Sequence, residues 1–316
     1  MNAPILNHLV IGKETTFNTP VVPAIAFPIE RDGGLTTNPQ RQYLELLRAQ
    51  LAKYYGAVDG ARTHSGNYKT QLLHDVIGHV LLSSLGGVTS AVKGGESIVY
   101  EHEFVESATK KSYTVEQKLG DIVRRYSGVF FPSFKIVAEP NGAINLEFAA
   151  IGAGNDSASP VTPSYTDELP FTFDEIAIDI DTVAITSGVR KLELEYKNNA
   201  ESIHSLGSKD PRNHVIGGSE IDLTMELILD ATMADEYVDM LNNADKGLDL
   251  TVTGAATIGT ASNNKLELSI PELKYTTGEI TFADDGVVIL PIVASAISTS
   301  GSLFDLVRLT NLIASY

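Results

Sequence analysis

Apolar and polar residues alternate along much of this chain, with the period of two that is typical of strands with one buried face. The cleanest stretches run from Ile221 to Leu227 and from Leu192 to Tyr196. Further strands are predicted at residues 97–105, 111–118, 122–131 and 171–185. Proline and threonine are frequent in residues 1–37, which favours an extended arm or edge strands. The pattern therefore predicts a mainly β protein.

Two short segments follow the helical period instead. Apolar residues recur at i and i+4 between Leu72 and Leu85, and Gly86-Gly87 can end a helix there. A second, acidic helix is predicted at residues 231–241. The expected fold is thus mainly β with two short helices.

Three segments between these elements have weaker signals. Residues 42–55 have leucines at helical spacing, but a strand at residues 51–58 fits as well. The glycine-rich stretch at residues 88–97 is predicted to be a loop, and the polar residues 198–218 a long exposed loop.

A hairpin pattern occurs twice in the chain. One copy starts at Phe131-Pro132 and turns at Asn141-Gly142, and the other starts at Ile270-Pro271 and turns at Asp285-Gly286. The prolines are 139 residues apart (271 minus 132) and the glycines 144 (286 minus 142). Because a predicted helix precedes each hairpin, we interpret the chain as two tandem β-domains. The first, residues 1–155, includes the extended N-terminal arm, and the second is residues 156–316.

The charge of the chain is unevenly distributed. The 316 residues include 40 Asp and Glu against 23 Lys and Arg, a formal net charge of −17. Residues 1–160 have 14 basic and 15 acidic residues, whereas residues 161–316 have 9 and 25. A surface of this sign repels nucleic-acid phosphates. The absence of cysteine excludes disulfides and thiolate metal sites. Without a signal-peptide pattern or a membrane-length apolar run, we expect an unsecreted protein with no membrane partner.

No motif in the sequence points to catalysis. The chain lacks the nucleophile elbow, the phosphate-binding loop and the dinucleotide-binding glycine pattern. His74 and His79 are predicted on different faces of a helix, and Glu101-His102-Glu103 on a strand with its acids exposed. Asp179 and Asp181 are expected to be solvated rather than to bind calcium. We therefore predict no catalytic, cofactor or metal site. A structural protein is favoured over a β-sandwich adhesin or receptor-binding module, and over a β-rich hydrolase.

Several short segments, taken in order and at their spacing, resemble one known family. They are Leu9 to Pro20, Val58-Asp59-Gly60, Gly66-Asn67-Tyr68, Leu85-Gly86-Gly87, Tyr100 to Phe104, Tyr113 to Glu116, Tyr126-Ser127-Gly128, Thr162-Pro163 and Pro170 to Phe173. Together they span nearly the whole chain and resemble the major tail tube proteins of long-tailed, siphovirus-like bacteriophages.

The resemblance implies a structural virion protein whose stacked rings form the tail tube, a channel for genome ejection into the host. It implies tandem tube-type domains, each a β-sandwich or partial barrel, whose inner sheets join into a closed β-barrel ring on oligomerisation. With two such domains per chain, a homotrimer forms a pseudo-hexameric ring, and a homohexamer is the alternative. Rings are expected to stack head-to-tail.

The resemblance also implies partners and a location. DNA and the tape-measure protein are expected inside the lumen without tight binding, and the tail terminator and distal tail proteins at the tube ends. The protein is expected in the host cytoplasm before assembly and in the virion tail afterwards. Four acids that point away from the apolar face of their strands are candidates for the lumen: Glu193, Glu195, Asp222 and Glu226. Alternation alone leaves open whether they face the lumen or the tail exterior.

Overall fold

The computed structural model describes residues 7–30, 33–185, 188–229, 234–282, 286–298 and 301–316. Strands make up 55% of the chain and helices 6%, which confirms the prediction of a mainly β fold with two helices. Neither helix among the described residues is long and apolar enough to cross a membrane.

The elements of the N-terminal half are β1 (His8–Lys13), β2 (Ile25–Phe27), β3 (Thr36–Leu44), β4 (Gly56–Gln71), α1 (Ile77–Leu85), β5 (Gly86–Val92), β6 (Tyr100–Glu106), β7 (Tyr113–Leu119), β8 (Ile122–Val129), β9 (Ser133–Ala138), β10 (Asn145–Gly152) and β11 (Gly154–Ser157). Those of the C-terminal half are β12 (Ile176–Ile180), β13 (Val183–Ala184), β14 (Val189–Lys197), β15 (Glu201–Ile203), β16 (Asn213–Val215), β17 (Glu220–Ile228), α2 (Ala234–Leu241), β18 (Asp245–Thr257), β19 (Asn263–Gly278), β20 (Thr281–Phe282), β21 (Val288–Ala296) and β22 (Leu306–Asn311).

One antiparallel layer runs through both halves of the molecule, in the strand order β3-β4-β10-β9-β14-β17-β21-β19. We call it the spanning sheet. Its first four strands come from the N-terminal half and its last four from the C-terminal half. The two groups meet where β9 pairs with β14 over six residues, from Ser133↔Lys197 to Ala138↔Leu192.

Each half also has an outer layer that packs over the spanning sheet. In the N-terminal half its order is β11-β8-β7-β1-β2. In the C-terminal half the equivalent order is β22-β19-β18-β12-β13, and the β5–β6 hairpin from the N-terminal half extends this layer by pairing β6 with β22. The halves therefore share one strand order in both layers, and they differ by the added β5–β6 hairpin.

The prolines of the repeated hairpin lie where the chain passes from the outer layer to the spanning sheet. Pro132 separates β8, an outer strand, from β9. Up to Ile270, β19 pairs with β18 and β22, and from Leu273 onward it also pairs with β21 of the spanning sheet. Proline has no N–H to donate, so it is tolerated where a ladder changes partners. The strand pairing of both predicted hairpins is confirmed, β9 with β10 and β19 and β20 with β21; Asp285 of the second predicted turn lies outside the described residues.

One hydrophobic core extends between the layers through both halves. The helix α1 is buried along its whole length, which confirms the first predicted helix from Ile77 onward. Gly78 is the second residue of this helix, and a Cβ there would run into the ring of Tyr316. The ring of Tyr316 therefore packs directly on α1.

Three segments differ from the sequence predictions. Residues 42–55 form no helix, since a helix needs an apolar surface to pack on and these leucines have none. Residues 88–97 are not only a loop, because β5 continues directly from Gly86 and pairs with β6 along its full length. Residues 198–218 do not form an open loop: β15 pairs with β16, and this pair packs back on the N-terminal half.

Candidate assembly surfaces

The spanning sheet has one face in the core and one polar face. A cross-strand row on the polar face consists of residues in register on seven neighbouring strands: Lys69, Glu147, Lys135, Glu195, Asp222, Ser295 and Lys274. The register is continuous through the β9–β14 junction. The two halves thus present a single polar surface.

All four candidate acids lie on this polar face. The carboxylate of Glu193 contacts the ammonium groups of Lys135 and Lys191, the latter at 2.7 Å. These hydrogen bonds, from Lys135 first and then Lys191, lower the pKa of Glu193. Glu226 lies opposite Lys191 on the neighbouring strand.

The other two acids share one lysine. Lys197 Nζ lies 3.1 Å from Glu195 and 3.5 Å from Asp222, and the hydroxyl of Ser295 donates to Asp222 at 3.0 Å. The polar face is therefore a lattice of paired opposite charges. The sequence pattern indicated these acids but not the lysines, although Lys191 and Lys197 lie on β14 at even spacing from Glu193 and Glu195, and Lys135 lies on the neighbouring β9.

The spanning sheet ends in free strand edges within the described part of the chain. At one end, no strand pairs with the outer edge of β3; just before β3, Glu30 and Gly34 donate backbone hydrogen bonds to Lys69 and Asn67 of β4. At the other end, β19 beyond Lys274 pairs only with β21. Unpaired backbone N–H and C=O groups at such edges can pair with another strand.

A β-hairpin projects beyond the sheet next to the first edge. Only residues 64–71 of β4 pair with β10, whereas residues 56–63 pair with β3 alone. These eight residues extend the hairpin by about 27 Å. Its base rests on the β15–β16 segment, where Arg62 N donates to Lys209 O at 2.7 Å.

The tip of this hairpin, residues 45–55, exposes apolar side chains. Leu47 and Leu51 have relative accessibilities of 107% and 108%, and Leu46 is 64% exposed. The contacts that order the tip lie within the hairpin: Tyr43 packs against Tyr54, and Arg48 lies 4.1 Å above the ring of Tyr55.

The helix α2 presents a second exposed stripe. Asp235, Val238 and Leu241 follow each other at intervals of three and face solvent, with Val238 49% and Leu241 65% exposed. The opposite side of the helix is fixed by Lys246, whose ammonium lies 3.3 Å from Glu236 and 2.5 Å from Asp239. This structure confirms the second predicted helix over residues 234–241; residues 231–233 lie outside the described part.

The other titratable residues named in the sequence analysis lie next to other groups of the protein. His102 is buried and hydrogen-bonded to Ser90 and Asn311, so the triplet Glu101-His102-Glu103 lies on a strand with its histidine inside. Asp181 pairs with Lys246 at 3.1 Å, and Asp179 faces Asp249 on β18.

One cluster in the described residues has groups that could hold a metal ion, namely His74, Asp75 and Glu168. Burial lowers the pKa of His74, but hydrogen bonds to Asp75 and Glu168 outweigh this effect and raise it to about 9. The imidazole therefore carries a proton at neutral pH and bridges the two carboxylates. Glu168 also accepts the backbone N–H of Asp75 at 2.6 Å, which attaches residues 158–170 to the start of α1.

These surfaces define a structural β protein with free sheet edges and a charge-paired polar face, suited to assembly with copies of itself. The chain belongs to the phage tail tube protein family, whose model matches residues 6–296. Comparison with curated proteins returns no match.

Membership of this family confirms the resemblance seen in the sequence. The protein is a structural component of the virion tail, and it assembles with itself into the stacked rings of a tail tube.

Proposed function

We propose that the ring consists of three chains joined edge to edge through the spanning sheet. The observation that carries the proposal is the β9–β14 junction, where two groups of four strands in equivalent order already pair inside one chain. If the same junction repeats between chains, β19 and β20 of one chain would pair with β3 of the next chain and with the residues just before it. Closure would remove both free edges.

The size of the closed sheet favours three chains. Each chain contributes eight strands, so three chains give 24 and six give 48. With strands about 4.8 Å apart and tilted by about 40°, 24 strands close at a backbone diameter of about 50 Å, and 48 at about 100 Å. The smaller barrel leaves room for a DNA duplex without a large void, and the homohexamer is the alternative.

The same strand order supports two tandem tube domains, residues 1–155 and 156–316. The boundary lies within β11 (Gly154–Ser157), which pairs with β8 of the first domain, and the segment that leads to the second domain follows Ser157. In the ring, first and second domains alternate around a pseudo-six-fold axis.

The polar face of the spanning sheet lines the channel in this proposal, because the outer layers and α1 cover its other face. Glu193, Glu195, Asp222 and Glu226 would then face the lumen, with Lys135, Lys191 and Lys197 between them. Alternating charges give phosphates no continuous basic track, so DNA passes without counterion-release binding. The tape-measure protein would fill the same lumen before ejection.

The remaining partners follow from the family. We infer contacts with the tail terminator and distal tail proteins at the two tube ends, and an unassembled pool in the host cytoplasm. The protein would have no catalytic role, since its described polar clusters are explained by packing and by strand pairing.

Ring composition and lumen orientation can be tested on assembled tubes. Cross-sections seen by electron cryomicroscopy should show three chains per ring, and six chains per ring would overturn the trimer. For the lumen, Glu195→Cys introduces the only thiol, and a small maleimide should label it in tubes while a long polyethylene-glycol maleimide should not. The matched control is Glu103→Cys on the outer layer, which should react with both reagents. Equal reaction of both variants with the long reagent would place Glu195 outside.

A further inference from the structure

The tip of the projecting hairpin and the exposed stripe of α2 lie at opposite ends of the molecule. The four antiparallel steps from β4 through β10, β9 and β14 make β17 run in the same direction as β4. The tip precedes β4, and α2 follows β17. The sixteen residues of β4 alone span about 53 Å. The tip therefore cannot reach α2 of its own chain.

The two surfaces are complementary in chemistry. The tip has two fully exposed leucines, Leu47 and Leu51, beside Arg48. The α2 stripe has Val238 and Leu241 beside Asp235. Phe282, which is 77% exposed, lies on β20 at the same end of the spanning sheet as α2. Residues 45–55 include Arg48, Lys53 and Glu45, whereas residues 234–246 include four acids and one lysine.

The equivalent elements of the other half do not offer these surfaces. All residues of α1 are buried, so the described residues of the N-terminal half present no exposed helical stripe at this end. The β15–β16 segment, which corresponds to the projecting hairpin, folds back and hydrogen-bonds the N-terminal half through Lys209 and His214. Within the described residues, each chain thus has one projecting tip and one exposed helix, a one-to-one match.

We infer that the tip of the projecting hairpin docks on α2 of a second copy of this chain in the next ring. This inference rests on the proposed head-to-tail stack, which brings opposite ends of successive rings together. Leu47 and Leu51 pack against Val238 and Leu241, and Arg48 lies beside Asp235. The contact removes from water the two leucines that are most exposed among the described residues.

Cysteine pairs test the docking because the chain has no cysteine of its own. A variant with Leu47→Cys and Leu241→Cys, assembled under reducing conditions and then oxidised, should give a ladder of disulfide-linked chains in a non-reducing gel. The matched control combines Leu47→Cys with Gly142→Cys, which lies in the β9–β10 turn at the same end of the N-terminal half and has open space around a Cβ. The control should give no ladder.

The outcomes separate the docking from the proposed function. Tubes of the Leu47→Cys, Leu241→Cys variant that form without a disulfide ladder, or a ladder only in the control, would overturn the docking and leave ring formation intact. Failure of the reduced protein to form rings at all would count against the proposed function instead.

A charge exchange provides a second readout of the same contact. Arg48→Glu and Asp235→Arg should each shorten the tubes by at least several-fold while rings still form. Combining them should restore tube length, and no restoration would count against the pairing of Arg48 with Asp235.

Discussion

Glu14 is a buried carboxylate that fixes the segment after β1 to the outer layer of the N-terminal half. It is only 4% exposed, and it accepts four hydrogen bonds. Oε2 accepts from the backbone of Asn18 at 2.9 Å and from the hydroxyl of Ser112 at 2.7 Å. Oε1 accepts from the hydroxyl of Thr114 at 2.8 Å and from the backbone of Gly128 at 3.0 Å. We predict that its replacement destabilises the fold strongly.

The magnitude follows from what each substitution leaves unpaired. Glu14→Ala removes the acceptor of two backbone amides and two hydroxyls, and each unsatisfied buried donor costs about 1–3 kcal/mol. Because the hydroxyls can rotate toward other acceptors, the amides dominate, and we expect a loss of about 4 kcal/mol in the free energy of unfolding. Glu14→Gln keeps one oxygen but directs an NH₂ group at the amide of Asn18 or Gly128. We expect a loss of about 2 kcal/mol for this variant.

Urea denaturation followed by far-ultraviolet circular dichroism, at a concentration below assembly, measures both losses. Native-state hydrogen exchange of the Asn18 and Gly128 amides gives a local readout, and protection of both should fall in Glu14→Ala. The exposed Glu201→Ala is the matched control and should change stability by less than about 0.5 kcal/mol. A Glu14→Ala midpoint equal to that of the control would refute the reasoning.

Two further predictions concern the contacts that hold distant segments together. Burial lowers the pKa of His214 to about 4, so the folded protein keeps this ring neutral with Nε2 donating to Gly128 O at 3.0 Å. The unfolded chain takes up this proton near pH 6.5, so about 3 kcal/mol of stability is present above that pH and is lost as the pH falls toward 4. His214→Gln should remove this part of the pH dependence of the urea midpoint, and an unchanged difference between pH 7.5 and pH 4.5 would contradict it. Tyr316 is 5% exposed, packs 4.9 Å from the His79 ring and 4.8 Å from the His102 ring, and accepts a hydrogen bond from Asn311 at 2.6 Å. Tyr316→Ala should therefore cost about 3–5 kcal/mol by thermal or urea unfolding, whereas a loss under about 1 kcal/mol would show that this ring does not stabilise α1.

The sequence predicted the parts of the fold whose signal is local. Alternation in β14 and β17 is clean because each strand has one face in the core and one on the polar face. The apolar-proline pattern is also a local signal, since Pro132 and Pro271 mark places where the backbone changes its strand partners. The family was found from ordered short segments that include Glu14, although nothing in the sequence showed that its carboxylate accepts four hydrogen bonds.

The parts that failed depend on partners distant in sequence. Leucines recur at helical spacing in residues 42–55. No other element provides a surface for those leucines to pack on, so no helix forms, and β3 and β4 pair with each other instead. Residues 88–97 are rich in glycine, so their local pattern predicts a loop. The strand β5 forms there because it pairs with β6, and that pairing is not visible in the local pattern. The β15–β16 segment is polar in sequence, which predicts exposure, yet His214 is buried. Its ring hydrogen-bonds to Gly128 O, which lies 86 residues away, so the local pattern could not reveal this contact.

The differences between the two halves are as informative as their shared strand order. If six identical domains formed the ring, every domain would have to carry both the projecting hairpin and the exposed helix. In this chain one half keeps the hairpin and buries its helix under Tyr316, while the other folds its equivalent loop back and exposes α2. The near-neutral half thus supplies the tip with Arg48, and the acidic half supplies Asp235. With three tips and three helices per proposed ring, stacking has only three equivalent rotations, so the orientation of each ring is fixed by the one below it.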